Sequence, residues 1–386
     1  MRSKRNKTRL LLATGSGFTD VKRATLDEAK KRGWSCFSFS LQDDISPRIF
    51  KPHVAISTET FEDPIYKILH QIGVHTVRIG ILPTPLDETV PAVLSDLNEE
   101  GRMAAEHYAE RGFRHVGVVR FGDFRSYYTT FRTHAIELGC KFHVLDISKA
   151  LPKSINSPDK TFREYHRRFL AALSKVPKPI GLLMPGDNLA ATVCKFCILS
   201  NIQVPDEVAI LGRGDEVTVC DLSPVSLSSI HLNVESRISA AFSILDDMLA
   251  GKEAPKESVI IPPTGITSRD STDVRASQHP DVTKALRYMW DNYSSLELSV
   301  DNVAQVVGFS RRTLERLFRS ELNQTVNEAL LSRRLERCCE LLITTDTNVS
   351  DLCYAVGLRS REHLHRAFKR TYGITMQKYR LKHRQA

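Results

Sequence analysis

The spacing of hydrophobic positions changes near residue 270 of this 386-residue chain. Before that point, short apolar runs such as TRLLLAT (8–14) and HVGVVR (115–120) alternate with amphipathic segments of helical period. After it, the apolar positions recur at helical spacing. Short apolar runs separated by amphipathic helices are typical of parallel sheets, because their strands are buried on both faces. The pattern therefore predicts two parallel-sheet lobes followed by an all-α region.

Turn residues mark the ends of the predicted elements. Strands are predicted at 8–14, 34–39, 53–57, 75–79, 115–120, 142–146, 180–184, 208–212, 225–228 and 259–261. Helices are predicted at 20–31, 64–72, 98–110, 127–138, 161–175, 187–199 and 234–250. The segment 268–280 is polar and aperiodic, which indicates a linker. We therefore assign an α/β domain to residues 1–270, a linker to 271–280 and a helical domain to 281–386.

The helical domain contains a short apolar helix, a glycine and an arginine-rich helix in the run VAQVVGFSRRTLERLFR (303–319). Gly308 can take the left-handed conformation that closes a tight turn. Ser310 can cap the helix that follows. The arrangement is that of a helix-turn-helix unit. For this stretch alone, an amphipathic helix pair with a solvated basic face is the alternative interpretation.

A second copy of the pattern strengthens the first interpretation. The run VSDLCYAVGLRSREHLHRAFK (349–369) again has a glycine, Gly357, and a serine, Ser360, before a basic helix. An internal repeat of a whole supersecondary unit is hard to obtain by chance. We therefore predict helix-turn-helix units at about 299–319 and 348–369, joined by a helix at 326–343.

The outward side chains of the second helix in each unit are mostly basic, which suits phosphates and guanine edges. Contacts to base edges are predicted for Arg312, Glu315, Arg316, Arg361, Glu362, His365 and Arg366. Contacts to phosphates are predicted for Arg311, Arg319 and Lys369. The charge distribution agrees, because the chain carries a net +9 and residues 281–386 hold 18 Lys and Arg against 12 Asp and Glu. This is the electrostatic pattern that nucleic-acid binding requires.

Residues 281–386 resemble the DNA-binding domain of AraC/XylS-family transcription regulators, which carries two helix-turn-helix units joined by a long helix. The closing run AFKRTYGITMQKYR (367–380) is similar to that family's signature. Met376 departs from the pattern, because the family usually has proline there. We expect this change to affect a helix start and not the reading of DNA.

The first 270 residues resemble the effector domain of lactose-repressor-type regulators, which shares the type I periplasmic sugar-binding fold. The resemblance is carried by SDLNEEGRMAAEHYAERGFRHVGVV (95–119), PGDNLAA (185–191), VPDEVAILGRGDE (204–216) and SPVSLSSI (223–230). It implies a fold class in which a bilobed, periplasmic-binding-protein-like α/β domain precedes an all-α domain with two helix-turn-helix units.

In an open α/β sheet, ligand-binding groups lie at the carboxyl ends of the strands. The loops after the strands supply the candidate effector contacts, which are Phe18, Asp20, Phe124, Arg125, Asp187, Arg213 and Asp215. For Asp187, sugar contact and helix capping are both open. Relatives show Gly-x-Asp after the strand at 208–212, but Gly214 stands at the aspartate position here and Asp215 is displaced by one residue. We therefore assign no particular sugar. Arg125 and Arg213 could meet an acidic or sulfated sugar, or they could be ordinary surface arginines.

The resemblance implies double-stranded operator DNA and a small sugar-like effector as partners. It also implies a homodimer formed through the first lobe near 64–72 and 91–95, with RNA polymerase as a further candidate partner. No stretch of about 18 apolar residues is present, so we expect no membrane span. The apolar run LLLA after the basic N-terminus is too short for a signal peptide, and a cytoplasmic location is expected. We expect no catalytic residues, no metal and no cofactor.

Two motifs offer other functions. Cys194 and Cys197 form a CxxC, but no second pair or nearby histidine completes a zinc site, so we predict core thiols. Gly15–Gly17 resembles the start of a dinucleotide loop and lacks its third glycine. A ligand-responsive transcription factor is the leading hypothesis. An α/β dinucleotide-dependent enzyme with a helical cap is the alternative, and a plain sugar-binding protein is a third; the repeated helix-turn-helix argues against both.

Overall fold

Strand and helix spacing before residue 270 is realised as two six-stranded sheets with helices between the strands. The computed structural model describes residues 7–14, 19–39, 47–58, 64–80, 90–120, 125–148, 158–273, 277 and 279–384. The chain divides into two compact units, of which the first comprises Met1–Glu110 and Arg114–Asp273 and the second comprises Arg111–Phe113 and Val274–Ala386.

Within the described residues the first unit has twelve strands, and ten of them overlap predicted strands. The twelve strands are β1 (Arg9–Ala13), β2 (Ser35–Phe39), β3 (Val54–Ser57), β4 (His75–Gly80), β5 (Ala92–Ser95), β6 (His115–Arg120), β7 (Lys141–Asp146), β8 (Ile180–Leu183), β9 (Val208–Gly214), β10 (Ser228–His231), β11 (Val259–Ile261) and β12 (Gly265–Thr267). The strands at 92–95 and 265–267 were not predicted, and the one at 228–231 shares a single residue with the predicted 225–228. The first sheet has the order β11-β5-β4-β3-β1-β2, and its pairs are parallel. The second has the order β12-β10-β9-β8-β6-β7, and only β12 is antiparallel within it.

Helices cover the sheets, and seven of those described overlap the predicted amphipathic segments, whereas the short helices at 47–50 and 217–221 were not predicted. The described helices are α1 (Thr19–Lys31), α2 (Pro47–Phe50), α3 (Pro64–Gln71), α4 (Leu97–Glu110), α5 (Arg125–Glu137), α6 (Pro158–Leu173), α7 (Asp187–Leu199), α8 (Val217–Asp221) and α9 (Val234–Leu249). Helix α9 packs on β4 and β5 of the first sheet, whereas α4 packs on α5 beside the second. The chain therefore passes between the lobes three times: after β5, after β10 and after β11. These three crossings form the hinge of a bilobed domain.

Two parts of the first unit differ from the predicted pattern. Ala92–Ser95 forms a buried strand between β4 and β11, so the predicted dimer contact at 91–95 is wrong for these four residues. The segment at 268–280, predicted as a linker, begins with a short 3-10 turn at Asp270–Thr272. Ser271 and Thr272 in this turn are fully buried. Ser271 donates to the Ile210 carbonyl at 2.6 Å, and such bonds explain how a polar sequence can be buried.

The second unit is all-helical. Its helices are α10 (Pro280–Asp291), α11 (Val300–Val307), α12 (Arg311–Leu322), α13 (Val326–Thr344), α14 (Val349–Ala355), α15 (Arg361–Tyr372) and α16 (Met376–Arg384). One core surrounds Trp290 and Phe318, and a second surrounds Cys338 and Phe368. Helix α13 contributes to both cores, as the prediction of a joining helix requires.

The remaining sequence predictions about the core can be checked directly. Cys194 and Cys197 are fully buried in the core of the second lobe, which confirms them as core thiols. Met376 begins α16 and is buried, in agreement with its expected role at a helix start. Among the described residues, no helix has the length and apolar character that a membrane span requires.

Candidate DNA-binding surface and effector cleft

The first helix-turn-helix unit is shaped by local contacts that its sequence encodes. Ser299 and Asn302 form a reciprocal capping box at the start of α11. The helix ends at Gly308, whose φ of 76° lies in the left-handed region. Ser310 then caps α12 by accepting a hydrogen bond from the Thr313 amide at 3.2 Å. These contacts fix where α12 starts and hence which face it presents.

Helix α12 exposes four arginines. Arg312, Arg316 and Arg319 lie on the face away from the buried Leu314 and Phe318, and Arg311 is exposed in the first turn. Arg311 Nη1 lies 3.3 Å from an Asp301 carboxylate oxygen, and both side chains are more than half exposed. Such an exposed pair contributes little energy, so the arginine remains available to a phosphate.

Glu315 lies apart from these arginines. It is half-buried, and its carboxylate accepts a hydrogen bond from the Val326 amide at 3.3 Å. Val326 is the first residue of α13, where backbone N–H groups lack helical partners. Glu315 therefore supports the start of the joining helix, a contact that the sequence pattern of α12 alone does not reveal.

The second helix-turn-helix unit repeats the arrangement of the first. Ser360 caps α15 by accepting from the His363 amide at 3.2 Å. Leu364 and Phe368 are buried on the inner face. All five side chains predicted to contact DNA are exposed, namely Arg361, Glu362, His365, Arg366 and Lys369. Arg361 also lies over the ring of Tyr354, with 6.0 Å between the guanidinium carbon and the ring centroid. This cation–π contact holds Arg361 near the helix start.

The predicted effector residues are only partly described. Phe18 and Phe124, like the glycines at 15–17, lie outside the described residues, and so does the side chain of Arg125 at the start of α5. Asp20 lies in the first turn of α1 and is half-buried. Burial raises the pKa of its carboxyl, and the nearby charges of Glu216, Glu235 and Asp215 raise it further. Asp20 of the first lobe therefore lies within electrostatic reach of residues that follow β9 in the second.

Asp187 is 4% exposed and does not cap its helix. Gly186 holds the cap position without a side-chain bond, and Asp187 is the first residue of α7. Its Oδ1 accepts from Ser229 Oγ at 2.6 Å, and its Oδ2 accepts from the Glu216 amide at 2.9 Å. Burial raises the pKa of this carboxyl. Helix capping, one of the two predicted roles, is therefore wrong.

Gly214 is explained by the position of Asp187. A Cβ atom at residue 214 would lie 2.9 Å from Asp187 Oδ2, and the backbone there has a φ of 126°. An aspartate at this position would thus meet the Asp187 carboxylate and a strained backbone. Asp215 takes a left-handed φ of 55°, and its carboxylate accepts from Arg269 Nη1 at 2.7 Å and from Thr267 Oγ1. Asp215 is therefore bonded within the second lobe.

Arg213 is held in a buried ion pair at the hinge. Its Nε lies 2.6 Å from Glu100 Oε2, its Nη2 lies 3.0 Å from Glu100 Oε1, and Nη2 also donates to Ser95 Oγ at 3.1 Å. Arg213 is 7% exposed and Glu100 is 1% exposed. The interpretation as a surface arginine is wrong. The carboxylate that an acidic sugar would offer to Arg213 is already supplied by Glu100.

Sequence reasoning missed three residues of this region. Glu100 reads as a solvated helix residue, and Arg237 lies in an otherwise ordinary amphipathic helix. Arg237 donates to the Gly80 carbonyl at 2.7 Å, and burial with help from nearby Arg213 lowers its pKa to about 10. Arg269 lies in the segment predicted as a linker, and no periodicity marks it. Within the described residues, no group of His, Cys, Asp or Glu side chains is arranged to hold a metal ion.

Comparison with known proteins supports this geometry. A periplasmic binding protein-like domain model matches residues 105–272, and a helix-turn-helix domain model matches residues 303–382. Over 102 residues, which are 26% of this chain and 95% of the relative, the sequence is 30% identical to the regulatory protein SoxS of Salmonella typhimurium. The chain belongs to the AraC family of transcriptional regulators. It is a DNA-binding regulator with a periplasmic-binding-protein-like effector domain, and the alternative of a dinucleotide-dependent enzyme is not supported.

Two further comparisons cover most of the chain. The chain is 26% identical over 287 residues to the xylose operon regulatory protein of Escherichia coli K12, which spans 72% of this chain and 73% of that protein. A solved structure of the xylose-binding transcription activator XylR matches 98% of this chain and 99% of its own, with 22% identity and a TM-score of 0.64. The predicted fold class is therefore confirmed.

Proposed function

We propose that this regulator binds operator DNA by placing α12 and α15 in two successive major grooves, about 34 Å apart. The repeated outward face carries the proposal: each helix starts at a serine cap and exposes basic side chains opposite a buried leucine and phenylalanine. Base edges are read by Arg312, Arg316, Arg361, Glu362, His365 and Arg366. Phosphates are held by Arg311, Arg319 and Lys369. Glu315 is assigned instead to the start of α13 because of its bond to the Val326 amide.

Selection of duplexes from a random-sequence library by the full-length protein tests this assignment. Arg316→Ala is expected to weaken binding to the selected duplex by about 1–3 kcal/mol and to relax the base preference in one half of the site. Arg319→Ala is the matched control on the same helix. Because Arg319 is assigned to a phosphate, this variant should bind all duplexes more weakly by the same factor. The slope of log affinity against log salt concentration should fall by about one. An unchanged base preference in the Arg316 variant would move that residue to the backbone contacts.

The proposed effector is a small carbohydrate bound between the lobes. Similarity to a xylose-binding activator supports this class, and so does the approach of Asp20 to the loop after β9. In this arrangement Asp187 is a positioning residue, because it holds the Glu216 amide and Ser229. Closure of the lobes about the three hinge crossings would carry the signal toward the DNA-binding unit. The altered loop at Gly214 leaves the particular sugar to experiment.

A thermal-shift screen against pentoses, hexoses, uronic acids and sulfated sugars identifies the effector. A ligand at a hundred times its Kd stabilises the folded protein by about 2.7 kcal/mol, which raises Tm measurably. Asp187→Asn should reduce the shift, whereas Asp247→Asn, on an exposed pair with Lys252, should preserve it. If no sugar in the panel shifts Tm while DNA binding is intact, the carbohydrate assignment is wrong.

The assembly is proposed to be a homodimer that contacts RNA polymerase and works in the cytoplasm. Of the two predicted dimer segments, only the one at 64–72, which contains α3, remains. Its Lys67 and His70 are exposed beside buried Ile65 and Leu69. Light scattering of the full chain, with Lys67→Glu as an interface variant, tests dimerisation through this helix.

A further inference from the structure

The loop Tyr293–Glu297 connects α10 to α11, which is the first helix of the first helix-turn-helix unit, and it also contacts the joining helix. Arg334 on α13 donates through Nε to the Tyr293 carbonyl at 2.9 Å and through Nη2 to the Ser295 carbonyl at 3.0 Å. Arg337, one turn later, donates to Tyr293 Oη at 3.3 Å. The loop is thus bound to α13 by two guanidinium groups.

The same loop receives the turn of the second unit. A Cβ atom on Gly357 would lie 2.3 Å from the Tyr293 carbonyl oxygen and 2.9 Å from the Ser294 carbonyl carbon. Real Cβ atoms do not approach backbone atoms so closely, so this contact requires glycine. Two residues later, Arg359 donates to the Leu296 carbonyl at 3.3 Å and pairs with Glu297. Backbone packing and an arginine therefore join the second turn to the first unit.

Gly308 in the first unit shows that this contact is separate from the ordinary role of a turn glycine. Its φ of 76° is nearly the same as the 78° of Gly357. Apart from its chain neighbours, no atom of the described residues lies within 4 Å of the position that a Cβ on Gly308 would take. Both glycines serve a left-handed turn, but only Gly357 also allows two backbone segments to touch.

We propose that the Tyr293–Glu297 loop fixes the second recognition helix relative to the first, and that Gly357 is a positioning residue that sets the operator spacing this protein accepts. The inference rests on the proposed use of α12 and α15 as the two reading helices. Helix α15 begins four residues after Gly357, so displacement of this turn moves the whole helix. One added base pair shifts a half-site by about 3.4 Å and rotates it by about 34°. A rigid connection cannot absorb such a change.

The test uses the full-length protein and the duplex that it selects from a random-sequence library, in versions with one base pair added or removed between the two contacted grooves. Wild-type protein should lose about tenfold or more in affinity on both altered duplexes. Gly357→Ala should bind the selected duplex about tenfold more weakly and discriminate between spacings by about threefold or less. Gly308→Ala, which suffers the same backbone strain, should retain the wild-type ratio between spacings.

A second variant tests the inference without introducing a clash. Arg334→Met removes the bonds to Tyr293 and Ser295 while keeping an apolar stem, and it should also reduce the spacing ratio. This variant decides the matter if Gly357→Ala does not fold, as judged by circular dichroism. A wild-type ratio in the folded variants overturns the inference, as does a wild-type protein that tolerates every spacing. Failure of the wild-type protein to select any duplex would instead overturn the proposed reading by α12 and α15.

Discussion

In the first helix-turn-helix unit, α12 begins three residues after Gly308, whereas in the second, α15 begins four residues after Gly357. The additional residue in the second turn is Arg359, which reaches the Tyr293–Glu297 loop. Beyond the turns the two units are in register again, because serine cap, buried leucine and buried phenylalanine each recur after fifty positions. The serine cap, the leucine and the phenylalanine, which both units share, form a recognition helix. Arg359, which only the second turn has, helps to position one.

Among the five matched positions that are predicted to contact DNA, two differ in charge. Arg312 corresponds to Glu362, and Glu315 corresponds to His365. Glu315 is half-buried and bonded to the start of α13, whereas His365 is exposed. A shared pattern therefore does not give matched residues the same role, since the neighbouring element decides whether a side chain faces the protein or the solvent.

Substitution of the buried phenylalanines should have the largest effect and should reveal unequal cores. Phe318→Ala and Phe368→Ala each remove a fully buried ring, at a cost of about 3–5 kcal/mol in the free energy of unfolding. Phe368 also packs on the rings of Tyr372 and Tyr379, at centroid distances of 4.7 and 5.5 Å. Such pairs contribute about 0.5–1.5 kcal/mol beyond burial, so Phe368→Ala should be the more destabilising change.

Trp290 offers a local reporter for this measurement. The chain has two tryptophans, and Trp34 lies in the α/β domain. A Trp34→Phe background therefore leaves Trp290, which lies in the same core of the helical domain as Phe318. Urea unfolding followed by its fluorescence and by circular dichroism gives both free energies. Equal losses for the two variants would show that the tyrosine contacts add nothing beyond burial.

Removal of either serine cap should have a smaller effect, and the loss of stability should be the same in the two helix-turn-helix units. Ser310 and Ser360 each accept a hydrogen bond from the third residue of the helix at 3.2 Å. Alanine at either position should cost about 1 kcal/mol. Hydrogen exchange of the first turns of α12 and α15, measured peptide by peptide, should show faster exchange only in the altered helix. Faster exchange in both helices would mean that the units open together.

These two units also show how far sequence reasoning reaches. A glycine followed closely by a serine predicts the turn and the cap because both act on nearby backbone, and the starts of α12 and α15 follow from them. The contact of Gly357 with Tyr293 joins residues 64 positions apart, and no local pattern marks it. The buried helix face was predictable because the periodicity of apolar residues records it.

The effector domain shows the same division. Periodicity located most of the strands but not β5 or β12, and departure from Gly-x-Asp drew attention to Gly214. The partners of Arg213 were not predictable, since Glu100 becomes its neighbour only when the chain crosses the hinge. The buried turn at Asp270–Thr272 was also hidden, because hydrogen-bonded hydroxyl groups in a core have the composition of a loop.

Substitution of Glu315 should have a still smaller effect. It should distinguish a residue that supports stability from one that contacts base edges. Glu315→Ala removes the acceptor of the Val326 amide and should cost about 0.5 kcal/mol, because the bond is long and partly exposed. Base preference on the selected duplex should be unchanged. At the matched position, His365→Ala should leave stability unchanged and alter base preference. A changed preference in the Glu315 variant would return that residue to the base contacts.

The smallest effect is expected at Asp301, which pairs with Arg311 in the first unit. Both side chains are more than half exposed, so Asp301→Asn should change the free energy of unfolding by less than about 0.5 kcal/mol. DNA binding should respond in the opposite direction, because the change removes a negative charge 3.3 Å from a guanidinium assigned to a phosphate. Affinity should rise slightly at low salt, and the gain should fade as salt screens the charge. Titration of the selected duplex at several salt concentrations measures this. A loss of affinity would mean that Asp301 orients Arg311 for its phosphate and does not compete for it.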